Sequence, residues 1–205
     1  LYYTATGYIS NPNLKPEKAT TYRLRATYQK KNWRTAAEVY YRDGRDIIDW
    51  VQKNADSEWE SQQLTRLGTL GIEWSGGYYG HGFLQQATLA YGYMTTDKKS
   101  GDYISKYALD YMRHKATACI GIRFLRYVTL TVTAGLYDRN GNYIAADGRQ
   151  TPYRTYALLD ARIAWERRHL RIYIDGNNIT ATRYCDFGGL KMPEGWFTGG
   201  LGVTY

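Results

Sequence analysis

No stretch of the 205 residues strings together the roughly 18 apolar residues that a membrane-spanning helix needs, so a helical membrane protein is excluded. Two cysteines, Cys119 and Cys185, are too few for a disulfide scaffold or a four-ligand zinc site. The three histidines, His81, His114 and His169, fall at expected strand ends or turns with no nucleophile at a recognisable spacing. No catalytic residue is expected, and the chain does not read as an enzyme. Asp138, Asn140 and Asn142 imitate the start of a calcium loop. Its sixth residue must be Gly and its twelfth a bidentate Glu, where this chain has Tyr143 and Arg149. No metal and no cofactor is expected. The sequence opens on Leu1 with no charged-then-apolar leader, which reads as a fragment or a processed product.

Phenylalanine is scarce too, at 4 residues, against 22 Tyr and 6 Trp. Amphipathic aromatics in such excess suit surfaces that are half apolar and half wet. The net charge of +8 comes from basic residues scattered along the chain with acids between them, broken only by short pairs such as Lys98-Lys99 and Arg167-Arg168. Nucleic-acid binding is not expected from that distribution.

What the chain has is alternation. Apolar and polar residues exchange with period two over 19–30, 33–43, 64–74, 84–95, 114–124, 128–137, 155–166, 169–177 and 196–205, which predicts nine β-strands. The cleanest sets Val128, Leu130, Val132, Ala134 and Leu136 against Thr129, Thr131 and Thr133. No charged residue falls on the apolar stripes, while the opposite faces carry both signs. Links between strands alternate strictly between short (31–32, 76–82, 125–127, 167–168) and long (44–63, 96–113, 138–154, 178–195). All four prolines, Pro12, Pro16, Pro152 and Pro193, avoid the expected strands.

Two architectures give such stripes. An antiparallel up-and-down transmembrane β-barrel is apolar toward lipid, polar toward its lumen, girdled by aromatics, and has short turns at one end and long loops at the other. A soluble β-sandwich also buries one face of each sheet, but it requires no alternation of link lengths. The all-β barrel is the preferred reading. Nine strands would be too few and too odd in number to close such a barrel, so a piece of a larger chain is expected. Residues 1–205 read as a single region.

The segment Asn11-Pro12-Asn13-Leu14-Lys15-Pro16-Glu17-Lys18, followed by Thr20-Thr21-Tyr22, resembles the extracellular box of TonB-dependent outer-membrane receptors. Ala37 to Asp43 with Asp46-Ile47-Ile48, Asp160 to Ala164, and Asn177-Asn178-Ile179-Thr180 with Arg183-Tyr184 resemble later strands and loops of that family. In the last motif, Ile179-Thr180 stands where the family usually has Leu-Phe. The resemblance implies the C-terminal nine strands of a roughly 22-stranded barrel in the outer membrane of a Gram-negative bacterium. It implies partners as well: outer-membrane lipid, an N-terminal plug and the remaining strands of the parent chain, and TonB through a missing N-terminal box. The implied cargo is a ferric siderophore, haem or cobalamin. A histidine usually precedes the box in haem receptors, and none occurs within Leu1 to Ser10. Ligand contacts are expected from loop aromatics Tyr2, Tyr3, Tyr8, Trp59, Tyr143 and Tyr153. The terminal series Phe197, Leu201, Val203 and Tyr205 resembles the signal read by the barrel-assembly machinery. A passive porin, a barrel adhesin and a soluble sandwich module remain the competing functions.

Overall fold

A computed structural model describes residues 7–53, 57–99, 104–105, 111–145 and 148–204. Nine long strands carry the fold: β1 (Lys18–Lys30), β2 (Trp33–Gln52), β3 (Trp59–Tyr79), β4 (Leu84–Lys99), β5 (Tyr111–Leu125), β6 (Val128–Asn140), β7 (Tyr156–Arg167), β8 (Leu170–Asn177) and β9 (Trp196–Val203). They pair in chain order, each antiparallel to the next. The result is an up-and-down meander with β1 and β9 at its edges. Among the described residues no α-helix occurs; one 3-10 turn, Phe187–Gly189, lies in the last long loop.

The register carries one apolar face across the whole sheet. Val39 faces Ile72, which faces Tyr93; Ala118 faces Ala134, which faces Leu159; Ile163 faces Ile174, which faces Gly199. These side chains point outward into open space: Leu24 is 72% exposed, Ile120 54% and Leu201 68%. Among the described residues, only Val51 and Ala164 are both apolar and buried. A water-soluble sandwich of this length would bury a substantial apolar core. The soluble-sandwich reading therefore fails, and the apolar face is the surface that meets lipid.

Aromatic residues edge that face. At the short-turn end Trp33 packs edge-on against Tyr78, 5.4 Å between ring centres. Toward the other end Tyr22, Tyr41 and Leu70 share a row. His114 sits between Tyr93, 4.9 Å away, and Tyr91, whose hydroxyl is 2.8 Å from Nδ1. His114 is thus a girdle residue.

Two expectations need correction. The link expected over 44–63 is largely strand: β2 runs on to Gln52 and β3 resumes at Trp59, so only 53–58 connect them. A spanning strand needs about 9–11 residues, so this hairpin continues for roughly 30 Å of strand beyond the hydrocarbon at about 3.3 Å per residue. It holds Asp49, Val51, Gln52 and Ser61, all buried, so both faces are covered in part and the alternation that marks lipid-facing strands is absent there. The turn expected over 76–82 is 80–83, because Gly76 and Gly77 stay in the ladder of β3. Tyr8–Ile9, in the segment ahead of the Pro-rich box, adds no spanning strand; it pairs in parallel with Trp59–Glu60.

Candidate functional site at the outer mouth

The polar face starts from the charges that alternate with the lipid-facing residues. On β1 and β2, Glu38 takes Arg23 at 3.0 Å and Arg25 at 3.5 Å. A groove of about 410 Å³ lies beside them, lined in part by Glu38, Tyr40, Glu73 and Lys115. On β7 and β8, Arg162 grips both carboxylate oxygens of Asp175, with one of the two bonds at 2.8 Å. Arg162 also lies over the Tyr173 ring, 4.7 Å from its centre.

Tyrosines lie flat across glycines on this face. A Cβ on Gly71 would stand 2.1 Å from the Tyr40 ring, one on Gly200 2.3 Å from Tyr173, and one on Gly135 2.4 Å from Tyr137. The missing side chains let the rings lie along the wall and leave the interior open.

Toward the long-loop end the polar face continues into an aromatic column. Tyr137 of β6 stacks on Tyr156 of β7 at 5.1 Å, and Tyr156 on Tyr184 of the last loop at 4.4 Å. Burial pushes the Tyr184 phenol above its usual value, and the Asp186 carboxylate adds to that shift. Next to the column Arg139 pairs with Asp186 and lies 5.6 Å from the centre of the Tyr153 ring and 5.8 Å from that of Phe187. Tyr153 packs on Tyr143 at 5.1 Å, and its hydroxyl accepts the Gly189 N–H at 3.0 Å. Gly189 is required twice over: its φ is +76°, and a Cβ there would meet the Tyr143 ring at 2.7 Å.

The expected ligand contacts thus fall into two groups. Tyr143 and Tyr153 come together with Arg139 at the mouth over β6. Tyr8 and Trp59 meet on the tall hairpin, where the Trp59 N–H donates to the Gly7 carbonyl at 2.9 Å and Tyr8 packs edge-on against Trp50 at 5.2 Å. Tyr2, Tyr3 and Tyr205 lie outside the described residues. Tyr184 stands in the sequence only as a motif position, and Arg139 and Tyr156 carry no motif; the repeated Tyr at the ends of polar stripes is the available signal. Phe197, Leu201 and Val203 lie on the outward apolar face of β9, 74%, 68% and 56% exposed. Cys119 and Cys185 are both free, and the Cys119 sulfur accepts from Gln86 Nε2 at 3.1 Å. Among the described residues no group of His, Cys, Asp and Glu has the geometry of a metal centre.

The sequence motifs are structural fasteners. In the Pro-rich box, Asn11 Oδ1 accepts the Asn13 N–H at 2.9 Å, and the Lys15 N–H reaches Gln63 Oε1 at 2.9 Å. Glu17 Oε1 accepts the Ile48 N–H at 2.7 Å, which straps the box to β2. Asn178, 4% exposed, gives its N–H to Asp160 at 2.7 Å and its side-chain amide to the Thr182 carbonyl at 2.8 Å. Its Oδ1 accepts the Thr182 N–H at 2.9 Å.

The family model described as TonB dependent receptor-like, beta-barrel, matches residues 1–179. Similar solved structures include the copper transporter OprC, 12% identical over 95% of this chain and 31% of that one, with a TM-score of 0.75. The FrpB iron transporter from Neisseria meningitidis (F3-3 variant) is 12% identical over 97% and 33%, TM-score 0.71. The siderophore receptor PirA from Acinetobacter baumannii is 14% identical over 97% and 33%, TM-score 0.70. The chain spans about a third of the length of these structures, and at such identities the likeness speaks for the fold. No curated protein sequence matches.

Proposed function

The chain belongs to the family of TonB-dependent receptor-like β-barrels, and from that premise we propose that it is part of the wall of an outer-membrane receptor that imports a scarce metal nutrient. Residues 1–205 form one region of that wall. The remaining strands, the plug and the box that engages TonB belong to the rest of the parent chain. The barrel-assembly machinery reads the outward series of β9. Ferric siderophores, copper complexes, haem and cobalamin all fit the size and scarcity that demand energised uptake.

One observation carries the reading: a continuous uncharged face points outward while the reverse face holds paired charges and tyrosines. Only a wall between lipid and water has use for both. The aromatic and cationic cluster of Tyr143, Tyr153 and Arg139 supports a role for the mouth in holding cargo, since flat π-faces and guanidinium suit a chelate with aromatic or anionic groups.

Deletion of the parent gene, followed by growth on single iron, copper or cobalamin sources, names the cargo. Uptake of that labelled cargo stops when TonB is removed or the proton gradient is collapsed. Uptake indifferent to both would identify a passive porin instead.

A further inference from the structure

Charge is unevenly placed along the height of the wall. The four short turns with their flanking residues, 29–34, 79–84, 123–128 and 166–171, hold eight Lys or Arg against one acid. That is seven of the chain's eight net positive charges, gathered at one end of the sheet by the meander. Turn geometry does not ask for them. Lys31 and Arg168 sit at φ +50° and +52°, left-handed conformations that Gly and Asn adopt more readily than a long basic residue.

The charge is densest where the β5–β6 and β7–β8 turns meet. β6 and β7 are neighbours in the sheet, and the Glu166 N–H donates to the Tyr127 carbonyl at 2.8 Å, which ties one turn to the other. The Tyr127 ring takes two guanidinium groups, Arg126 at 5.2 Å and Arg167 at 5.4 Å from its centre. Arg168 follows in the exposed turn. Among the described residues no carboxylate pairs with any of the three. The one acid, Glu166, stands opposite Arg171. Guanidinium groups gathered on one ring repel each other, so the cluster suits an anion from outside the chain.

The surroundings identify the partner. Arg167 lies one step of two beyond Trp165 of the lipid face, about 5 Å along the bilayer normal for a strand tilted by about 40°. A bulge at the end of β5 sets Phe124 and Leu125 side by side, 44% and 58% exposed, next to Arg126. Cations at the tip and exposed apolar side chains behind them match the boundary between headgroups and acyl chains. In a barrel of this kind the short turns lie on the periplasmic side, where the leaflet is phospholipid. We propose that Arg126, Arg167 and Arg168 bind the phosphate of an anionic phospholipid in the inner leaflet, with its acyl chains against Phe124 and Leu125. Basic pockets at a membrane surface hold anionic headgroups, and Arg pairs with phosphate through two parallel hydrogen bonds. The inference rests on the outer-membrane placement proposed above and is independent of the cargo.

The test uses the full-length parent protein, purified in detergent and titrated with phosphatidylglycerol. Bound lipid is counted by native mass spectrometry. Replacing two of the three arginines (R126Q with R167Q) should weaken binding about thirtyfold, if each cation contributes at the level typical of a charged membrane surface. R126K with R167K keeps the charge and should retain most of the binding. R149Q with R154Q removes the same charge from the long loop after β6 and should bind like the wild type. Heat-modifiable migration on gels verifies that each variant is a folded barrel. Unchanged binding by folded R126Q/R167Q, equal binding of zwitterionic phosphatidylethanolamine by the wild type, or displacement of the lipid by an equal concentration of glycerol phosphate would each overturn the proposal. Uptake indifferent to TonB would instead count against the transport reading and leave the lipid binding as measured.

Discussion

Two neighbours on β6, Val132 and Thr133, separate the two environments of this wall. Val132 faces Ile120 and Ala161 on the lipid side, whereas Thr133 faces Cys119 and Asp160 on the polar side. Val132→Arg should cost about 2–4 kcal/mol, the depth-dependent penalty for a cation near the bilayer midplane. Thr133→Arg gains a carboxylate neighbour and should fold normally. The yield of heat-modifiable full-length barrel in outer-membrane fractions distinguishes them, and equal yields would contradict the lipid assignment. Gly71 gives a second expectation. Any side chain there displaces the Tyr40 ring, so Gly71→Val should destabilise the folded barrel by about 1–3 kcal/mol in urea unfolding. Tyr40→Ala in the same molecule should restore part of the loss. The alternation of single residues separated an uncharged face from a charged one in sequence alone. The fate of particular aromatics did not emerge that way: Tyr143 and Tyr153 are held by one another and by Arg139 within one loop, and Tyr153 takes the Gly189 N–H from another loop 36 residues further on.

At the scale of elements, the long loops are tied down by single buried groups. Asn178, with a positive φ of 47°, closes the start of the loop after β8 and fastens it to Asp160 of β7. Asn178→Ala removes the acceptor for the Thr182 N–H and the donor to its carbonyl, a loss of about 1–3 kcal/mol for each buried group left without its partner. The expected outcome is faster proteolytic cleavage within 178–195 of the full-length protein, with barrel migration unchanged. Asp160 and Asn178 were both visible in sequence as motif positions, but their mutual hydrogen bond was not. The tall β2–β3 hairpin was missed for a different reason. Its ladder continues through Arg45 to Gln52 because backbone pairing needs only a partner strand, while the side-chain pattern that reveals strands needs one dry face.

At the scale of the whole molecule, the sheet exposes its apolar face and, among the described residues, leaves the outer edges of β1 and β9 unpaired. Both are surfaces that associate in water. Residues 1–205 expressed alone should therefore form large assemblies in buffer and disperse only in detergent, as measured by light scattering. A stable monodisperse species without detergent would contradict the assignment of the outward face.

The sequence by itself determined the strands, their order and which face avoids charge, because each is written in local period-two spacing and in the lengths of the links. It also held the family likeness, carried by the Pro-rich box and the later motifs. Only the tertiary structure decided that the uncharged face looks outward and not into a core. Facing direction depends on how neighbouring strands stack and on the absence of any second layer among the described residues, which no single strand records. The meeting of Lys18, Arg45 and Arg66 has the same origin: three cations scattered along 49 residues of chain are set opposite one another only through the register of two ladders.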